Sequence, residues 1–334
     1  MKAFIVKSYG KKEKLLLTDW AEPTVNENDV LIEIHSAGVN LLDSLIRNGE
    51  FKLFLPYKPP FVNGHDVAGV ITKIGSKVRK FNVGDEVYAR VSDYRIGTFA
   101  EYISVDENDV AFKPKNLSME EAGSIPLVGL TSWQALVEIA NVKKGQKVFI
   151  QAGSGGVGTF AIQLAKYLGA FVATTTSASN IELVKSLGAD LVIDYKTQDF
   201  SEILKDYDMV LHSNREKKVL EQSLGILKKG GQLISLVGPP TPEFAEKIGL
   251  PWYLKFVTKL LSSSAKKKAE KLGVKFQFLF MRAEGKQLNE ITKLIEAGII
   301  KPVIDKVFPF EQTNEALTYV ETGRSRGKII IKVR

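Results

Sequence analysis

The chain has 334 residues, of which 44% are hydrophobic and 25% charged, a composition typical of a soluble globular protein with room for about two domains. It contains no cysteine and only three histidines, which excludes disulfides, thiolate metal sites and a cysteine nucleophile. The formal net charge of +8 would suit anionic ligands and also fits an ordinary soluble surface.

The N-terminal sequence and the hydropathy of the chain give an expectation about location. MKAFIVKSYG has neither the long apolar core of a secretion signal nor the Arg- and Ser-rich character of a transit peptide. No apolar run reaches the ~18 residues that would span a bilayer. From these features we expect a cytosolic protein without a membrane span.

Residues 1–114 are predicted to be mostly β-structure. Short runs rich in Val, Ile, Tyr, Phe and Thr alternate with turns that contain glycine, which is the pattern of a small β-barrel. The clearest runs are KAFIV, DVLIEIHSAGV, DVAGVITKIG and DEVYARV.

Strands and helices alternate after about residue 118. A Ser118-x-x-Glu121 capping box begins a helical stretch, and from residue 147 to residue 237 each apolar run is followed by a helical pattern. This order predicts βαβ units and a parallel, doubly wound sheet. Residues 239–273 form a less regular insert, and the strands after residue 302 are expected to return to the first domain.

Residues 147–169, KVFIQAGSGGVGTFAIQLAKYLG, carry the motif with the clearest chemistry. Gly153, Gly155 and Gly158 satisfy G-x-G-x-x-G, with an apolar strand before the motif and an amphipathic helix after it. Glycine permits the tight turn, the approach of a pyrophosphate to the backbone and the close packing of the helix on the sheet. The sequence therefore predicts a dinucleotide site at the start of that helix.

The residues after the second strand of this unit bear on which dinucleotide is bound. An NAD site usually has Asp or Glu about 20 residues beyond the first glycine, to bind the ribose 2′-hydroxyl. Here FVATTTSASN has hydroxyl and amide side chains and no acid, which favours NADP(H) over NAD(H).

The chain resembles the zinc-free, NADP-dependent quinone oxidoreductase branch of the medium-chain dehydrogenase/reductase superfamily, which includes zeta-crystallin-like proteins. The resemblance covers nearly the whole chain in the family's order. It is carried by AGVNLLDSLIRNGEF (37–51), NGHDVAGVITKIGSKVRKFNVGDEVY (63–88), GTFAEY (97–102), IPLVGLTSWQAL (125–136), AGSGGVG (152–158), LGADLVIDY (187–195) and GRSRGKIII (323–331).

The resemblance implies a fold, a domain division and an assembly. We expect a mostly β GroES-like catalytic domain over residues 1–121 and 298–334, and a Rossmann coenzyme-binding domain over residues 122–297. The family also forms homodimers through the Rossmann domain, so a homodimer is expected.

The resemblance further implies site residues. Asn40 would lie near the nicotinamide and the substrate oxygen, and Thr131 beside the nicotinamide ring. The phosphate loop would comprise Gly153, Ser154, Gly155, Gly156, Val157 and Gly158. Thr176, Ser177, Asn180 and Tyr195 would surround the adenosine ribose and its 2′-phosphate, and Ser213, Leu236, Val237, Gly238, Phe278, Leu279 and Phe280 would complete the coenzyme site.

No metal is expected. Zinc-dependent relatives have a cysteine ligand where this chain has Asn40, and their other cysteine ligand is missing; His65 is interpreted as a hydrogen-bonded histidine in a turn. Without a metal to polarise an alcohol, the implied reaction is hydride transfer from NADPH to an acceptor that conjugation already activates, either a quinone or an enone or enal. Asp43 is a candidate proton donor, with a helix cap and protonation by water as the alternatives.

Two sequence features allow other interpretations. The basic run formed by Lys266, Lys267, Lys268, Lys271 and Lys275 would serve a non-catalytic NADPH-binding or RNA-binding crystallin-like protein, although a solvated helix face is the simpler interpretation and no nucleic acid is expected. Residues 250–261 have alternating apolar and Lys residues, which fits a membrane-surface helix; a cap over the substrate cleft or a subunit contact is favoured.

Overall fold

A computed structural model describes residues 1–11, 13–55 and 57–334. Its strands are β1 (Lys2–Val6), β2 (Leu16–Asp19), β3 (Asp29–Val39), β4 (Phe61–Val62), β5 (Asp66–Ile74), β6 (Glu86–Arg90), β7 (Tyr102–Asp106), β8 (Val110–Phe112), β9 (Lys147–Ile150), β10 (Phe171–Thr176), β11 (Leu191–Asp194), β12 (Tyr207–His212), β13 (Leu227–Ser235), β14 (Lys275–Phe278), β15 (Ile304–Pro309) and β16 (Lys328–Lys332).

Its α-helices are α1 (Leu41–Arg47), α2 (Met119–Gly123), α3 (Pro126–Trp133), α4 (Gly156–Tyr167), α5 (Ile181–Ser186), α6 (Phe200–Ile203), α7 (Lys217–Gly225), α8 (Pro242–Lys247), α9 (Trp252–Leu272), α10 (Gly285–Glu296) and α11 (Thr313–Glu321). The Ser118 capping box forms as predicted, because the Ser118 hydroxyl accepts the Glu121 amide and the Glu121 carboxylate accepts the Ser118 amide.

The first compact unit comprises Met1–Leu130 and Arg282–Arg334. Its main sheet has seven strands in the order β15-β16-β3-β5-β6-β8, with β7 also paired to β3, and β2-β1-β4 form a smaller antiparallel sheet. Strand β16 runs antiparallel to β3, with Ile330 opposite Gly38, so the C-terminal segment completes the sheet begun by the N-terminal one. A buried cluster that contains Phe4, Phe99 and Phe310 joins the two segments.

The second unit, Thr131–Met281, is built on a six-stranded parallel sheet. Its strand order is β11-β10-β9-β12-β13-β14. From β9 the chain adds strands first on one side, β10 and β11, and then on the other, β12 to β14, so the switch point of this doubly wound sheet lies between β9 and β12. Phe149, Val210 and Leu233 lie in its core. In such sheets, ligands bind outside the carboxyl ends of the strands at the switch point.

The units divide between Leu130 and Thr131 and between Met281 and Arg282, whereas the sequence placed the divisions at 121/122 and 297/298. Contacts of α10 explain the second difference. The Tyr88 hydroxyl donates to the Leu288 carbonyl at 2.8 Å, and Asn116 Nδ2 donates to the Ile295 carbonyl at 3.0 Å. These bonds attach α10 to the β-rich unit, a packing preference that periodicity alone does not reveal.

Candidate functional site

The loop between β9 and α4 in the second unit is the predicted phosphate loop. The Gly153 amide donates to the Thr175 carbonyl at 2.9 Å, and the Gly155 amide donates to the Ala152 carbonyl at 3.0 Å, which closes a tight turn between strand and helix. A Cβ at Gly153 would overlap Thr174 Oγ1, and one at Gly158 would overlap the Ala152 carbonyl oxygen. The turn itself therefore requires two of the three motif glycines.

Gly155 has a different reason to be glycine. A Cβ there would meet only the Ala152 carbonyl oxygen, at 3.3 Å, so the space beside Gly155 is open. Gly155 is the N-cap residue of α4, and the amides of Gly156, Val157 and Gly158 in the first turn have no acceptor within the helix. Open space beside free amides at the positive end of a helix fits a pyrophosphate.

Ser154 links this loop to the side chains predicted around the ribose. Its hydroxyl oxygen accepts hydrogen bonds from Thr176 Oγ1 at 2.9 Å and from Asn180 Nδ2 at 3.2 Å. Because both lone pairs are engaged, the Ser154 hydrogen remains available to a ligand. Asn180 Nδ2 also donates to Ser177 Oγ at 3.3 Å, so these side chains form one polar cluster.

Asn180 Oδ1 supplies an observation that points to a ligand. It is buried and has no hydrogen-bond partner in the part of the chain that the structure describes. An orphaned buried acceptor costs about 1–3 kcal/mol, so a ribose hydroxyl that donates to it would relieve that cost. The donor on Ser154 and the acceptor on Asn180 fit the ribose hydroxyls of a nucleotide.

The residues that the resemblance assigns to the rest of the coenzyme site lie at the carboxyl ends of β12, β13 and β14, and their part in coenzyme binding stays a prediction. The Ser213 amide donates to Gln151 Oε1 at 3.0 Å, the Leu236 amide to the His212 carbonyl at 2.9 Å, and the Leu279 amide to the Ser235 carbonyl at 2.9 Å. The remaining predicted residues occupy the same strand ends: Val237, Gly238, Phe278 and Phe280. Tyr195 lies at the end of β11, where its amide donates to the Thr176 carbonyl at 3.2 Å.

Sequence reasoning missed His212, the last residue of β12. Its Nδ1 lies 2.9 Å from Ser235 Oγ, which also accepts the Gly238 amide, and its buried Nε2 has no partner among the described residues. Burial lowers the pKa of His212 to about 4. His212 is therefore neutral at physiological pH and links the ends of β12 and β13 through Ser235. In the sequence, the only sign that His212 lies near the coenzyme site is that it directly precedes Ser213.

The depressed pKa of His212 makes a prediction about acid stability. Its folded pKa of about 4 lies below the reference value of 6.5, so the unfolded chain binds a proton first, and stability is lost as pH falls from 6.5 towards 4. The shift corresponds to about 3 kcal/mol at the acid end. We expect His212→Asn to flatten the dependence of the unfolding free energy on pH, measured with urea across this range.

The partly exposed His35 supplies the matched control for this measurement. His35→Asn removes an imidazole of the same size from the first unit. If both variants follow the wild-type pH profile, the assignment of the acid sensitivity to His212 is wrong.

A second polar cluster lies within the first unit and contains Asn40. Lys328 Nζ donates to Asn40 Oδ1 at 2.5 Å and to Asp66 Oδ2 at 3.2 Å, and Asn40 Nδ2 donates to Asp66 Oδ2 at 3.0 Å. All three residues are buried. Burial raises the pKa of Asp66, and Lys328 and Asn40 oppose that rise. We call these three residues the buried triad.

The second hydrogen of the Asn40 amide donates to the Gly38 carbonyl at 3.3 Å, so both amide hydrogens face acceptors within the unit. Asp66 Oδ1 accepts the Leu127 amide at 2.8 Å, which ties the triad to the first turn of α3. Thr131 lies buried further along this helix. The triad and its bond to Leu127 therefore join four segments distant in sequence: the loop before α1, strand β5, the start of α3 and strand β16.

Asp43 caps helix α1. One carboxylate oxygen accepts the Asn40 amide at 2.7 Å, and the other lies 2.5 Å from Nδ1 of His65. Both side chains are fully buried. This geometry supports the cap interpretation of Asp43 and confirms His65 as a hydrogen-bonded histidine, whereas a proton-donating role for Asp43 stays a prediction.

The residues around His65 do not fit a zinc site. Its buried Nε2 has no hydrogen-bond partner among the described residues, and Asp93 Oδ1 lies 4.0 Å away and is paired with Arg90. Nowhere in residues 1–11, 13–55 and 57–334 do three His, Asp or Glu side chains come together as ligands. Zinc needs three protein ligands in a catalytic site, so no step of the chemistry is assigned to it.

The comparisons with known proteins agree with this geometry. Residues 26–116 match the alcohol dehydrogenase GroES-like domain family, and residues 187–331 match the zinc-binding dehydrogenase family. The chain is 36% identical to the mouse protein named NAD(P)H oxidoreductase RTN4IP1, mitochondrial, over 100% of this chain and 89% of that one. It is also 36% identical to 2-methylene-furan-3-one reductase of tomato (Solanum lycopersicum), over 99% of this chain and 79% of that one.

A solved structure shows the same fold. The quinone oxidoreductase of Coxiella burnetii superposes with a TM-score of 0.85 at 30% identity and covers 100% of this chain and 99% of that one. The predicted fold class is confirmed: a GroES-like domain and a Rossmann-type parallel sheet.

The expected cytosolic location is wrong by the same comparisons. The mouse relative and its human and Dictyostelium counterparts carry mitochondrial names. The composition of the N-terminus was therefore a poor guide to location. Within the described residues, no helix combines the length and the apolar character that crossing a membrane requires.

These likenesses extend over both units and agree with the glycine loop, the strand order and the unsuitability of His65 for zinc. The chain belongs to the medium-chain dehydrogenase/reductase superfamily, in its zinc-free, quinone oxidoreductase-like branch.

Proposed function

We propose that this protein is an NADPH-dependent reductase that transfers hydride to a quinone or to an α,β-unsaturated carbonyl compound. The observation that carries the proposal is the phosphate loop together with the orphaned Asn180 Oδ1, in a chain related over its full length to named oxidoreductases. When bound, NADPH supplies the hydride. The chain's own residues bind the coenzyme and orient it.

Three groups of residues would hold NADPH. The amides of Gly156, Val157 and Gly158 would face the pyrophosphate, and Ser154 and Asn180 would offer a donor and an acceptor to the ribose. Lys196 is exposed beside Tyr195, no carboxylate of the described residues lies within ion-pair distance of it, and it would add a cation for a 2′-phosphate. Lys196 follows β11, the strand beside β10 in the sheet.

The acceptor needs little chemical assistance. A conjugated carbonyl or quinone delocalises the incoming electron pair onto its own oxygen, so the protein mainly positions the acceptor and excludes water. Asn40, Asp43 and Thr131 are our candidates for the substrate side. In the buried triad Asn40 accepts a hydrogen bond from the Lys328 ammonium, whose charge is paired with the Asp66 carboxylate.

The test is a screen of NADPH oxidation across quinones, enals and enones, repeated with NADH. We expect turnover with at least one conjugated acceptor and none with a saturated aldehyde. If no acceptor is reduced while the protein binds RNA with a steep salt dependence, the enzyme proposal fails and the crystallin-like binding role replaces it. Lys266 and Lys268 of the basic run are already paired, with Glu243 and Glu221, which favours the solvated face.

Asn40→Ala tests the substrate side. The change removes the Asn40 amide from the proposed substrate side while Lys328 keeps Asp66 as its ion-pair partner, so we expect kcat to fall by about 100-fold, or ~3 kcal/mol, and the dissociation constant of NADPH to stay within a few-fold. Stopped-flow absorbance at the coenzyme band and a fluorescence titration separate the two effects.

Asn314→Ala is the matched control for Asn40→Ala. Asn314 also lies in the first unit and exchanges two hydrogen bonds with the backbone of Leu15, so its loss costs stability. Turnover of the folded protein should be unchanged. Full activity of the Asn40 variant would remove Asn40 from the site.

We also propose that the protein is a homodimer. Strand β14 is an edge of the parallel sheet, and an edge strand can pair with the same strand of a second copy. Light scattering coupled to size-exclusion chromatography gives the mass directly, and a monomer at micromolar concentration would contradict this part of the proposal.

A further inference from the structure

Helix α9 has an inverted distribution of side chains. Its buried positions are small or polar, namely Thr258, Ser262, Ala265 and Ala269, and they face α7, α8 and β14. Its large apolar residues point outward. A helix on a soluble protein normally turns such residues to the core, so an exposed apolar face of this size indicates a binding surface.

The exposed apolar residues form one continuous face. They lie in the first half of the helix, four residues apart, in two adjacent rows along its surface. One row is 252, 256 and 260, and the other is 253, 257 and 261. Exposure runs from 79% for Trp252 to 43% for Val257. We call this set the outer face of α9: Trp252, Tyr253, Phe256, Val257, Leu260 and Leu261.

Charge along α9 is predominantly positive. The helix contains six lysines and one glutamate. Lys266 and Lys268 are paired with acidic residues of the same unit. For Lys255, Lys259 and Lys267, no carboxylate lies within ion-pair distance in the described chain, and the same holds for Lys271.

We propose that the outer face of α9 docks the protein onto the surface of an anionic phospholipid membrane. Aromatic rings of the Trp and Tyr type settle at the boundary between headgroups and acyl chains, and flanking lysines are attracted to anionic headgroups. Both features coincide on α9. The helix lies on the membrane rather than crossing it, consistent with its six lysines.

Charge also decides between a membrane and a second copy of this chain. A symmetric pairing through the outer face would bring the unpaired lysines of both copies together, where like charges repel. An anionic lipid surface complements them instead. The dimer proposed above uses the edge strand β14 instead of the outer face of α9. Docking would hold the enzyme where apolar quinones and lipid-derived enals concentrate, but it does not depend on the reaction.

The experiment is flotation of the full chain with vesicles of phosphatidylglycerol and phosphatidylcholine, compared with vesicles of phosphatidylcholine alone. We expect binding to the anionic vesicles at least ~10-fold tighter than to the neutral ones and weakened by salt. A blue shift of tryptophan emission should accompany binding and be absent in Trp252→Phe. Equal binding to both vesicles, or to neither, would overturn the proposal.

Paired variants locate the surface. Trp252→Ser/Phe256→Ser should bind vesicles about 10-fold or more weakly, because each aromatic ring would bury apolar area in the membrane. Its melting temperature should be unchanged, because both residues are exposed in the free protein. Val83→Ser/Tyr94→Ser, which changes exposed apolar residues of the first unit, should bind like the wild type.

A lysine pair of variants tests the electrostatic part. Lys255→Gln/Lys259→Gln/Lys267→Gln should bind more weakly than Lys7→Gln/Lys58→Gln/Lys205→Gln, which removes the same charge from exposed positions outside α9. Equal losses would mean that net charge alone drives binding and would overturn the assignment to α9. Analytical ultracentrifugation tests whether a second copy of the chain binds the outer face of α9 instead. Self-association that Trp252→Ser/Phe256→Ser abolishes would contradict the membrane proposal.

Discussion

Gly155→Val should abolish productive coenzyme binding while leaving the fold intact. The space beside Gly155 is open on the side where a Cβ would project, apart from the Ala152 carbonyl oxygen at 3.3 Å. Two methyl groups in that space would occupy the position of a pyrophosphate against the first turn of α4. We expect the NADPH dissociation constant to rise by at least about 100-fold, or ~2.7 kcal/mol, measured by fluorescence titration or calorimetry.

Two other glycines make this experiment decisive. Gly225→Val adds the same side chain at the end of α7, where a Cβ meets nothing, so both binding and stability should be retained. Gly158→Val should instead unfold the turn, because its Cβ would overlap the Ala152 carbonyl and the Gly153 Cα. NADPH affinity of the Gly155 variant equal to that of the wild type would show that the loop does not hold the coenzyme.

The glycine loop was predictable from sequence because everything it needs lies within about twenty residues. The strand before it, the turn and the helix after it are local features, and the parallel sheet follows from their repetition. The hydroxyl and amide residues after β10 were found for the same reason. Their mutual contacts, above all the unpartnered Asn180 Oδ1, needed coordinates.

The buried triad was not predictable in the same way. Asn40 and Lys328 are separated by most of the chain, and they meet only because β16 pairs with β3. A lysine in GRSRGKIII looks like an ordinary surface residue before a buried strand. The resemblance marked Asn40 for the substrate, but the structure adds that its amide is already engaged by Asp66 and Lys328.

Helix α9 shows a different limit of sequence reasoning. Apolar and Lys residues at residues 250–261 were compatible with a cap, a subunit contact or a membrane-surface helix, because periodicity identifies an apolar face without saying which face is buried. The structure turns the small residues inward, with Thr258 and Ser262 buried and Trp252 exposed. That orientation reverses the usual assignment and carries the docking proposal.

Lys328→Met should be among the most destabilising single changes in the first unit. It removes the cation that faces the fully buried Asp66 carboxylate, and breaking a buried ion pair from one side costs about 3–5 kcal/mol. Asp66 already has a pKa raised by burial, and without Lys328 the pKa rises further. Urea unfolding at neutral pH measures the loss.

The pH dependence of this loss has a defined sign. A carboxyl whose pKa is higher in the folded state than in the unfolded state favours folding when it is protonated, so the penalty shrinks as pH falls and grows as pH rises. We therefore expect the unfolding free energy of Lys328→Met to be closer to that of the wild type at about pH 5 than at about pH 8.

The exposed ion pair of Lys77 with Glu27 gives the control. Lys77→Met should lower the unfolding free energy by under ~1 kcal/mol at either pH.

The double variant Asp66→Asn/Lys328→Met decides whether the charge or the packing is responsible. Removing both charges leaves an amide that can still accept the Leu127 amide hydrogen, so much of the lost stability should return. Strictly additive losses in the double-mutant cycle would mean that Lys328 acts through the packing of its stem and not through Asp66. Recovered stability without recovered turnover would instead show that the charged pair takes part in the chemistry, because the fold would then be intact while both charges beside Asn40 would be gone.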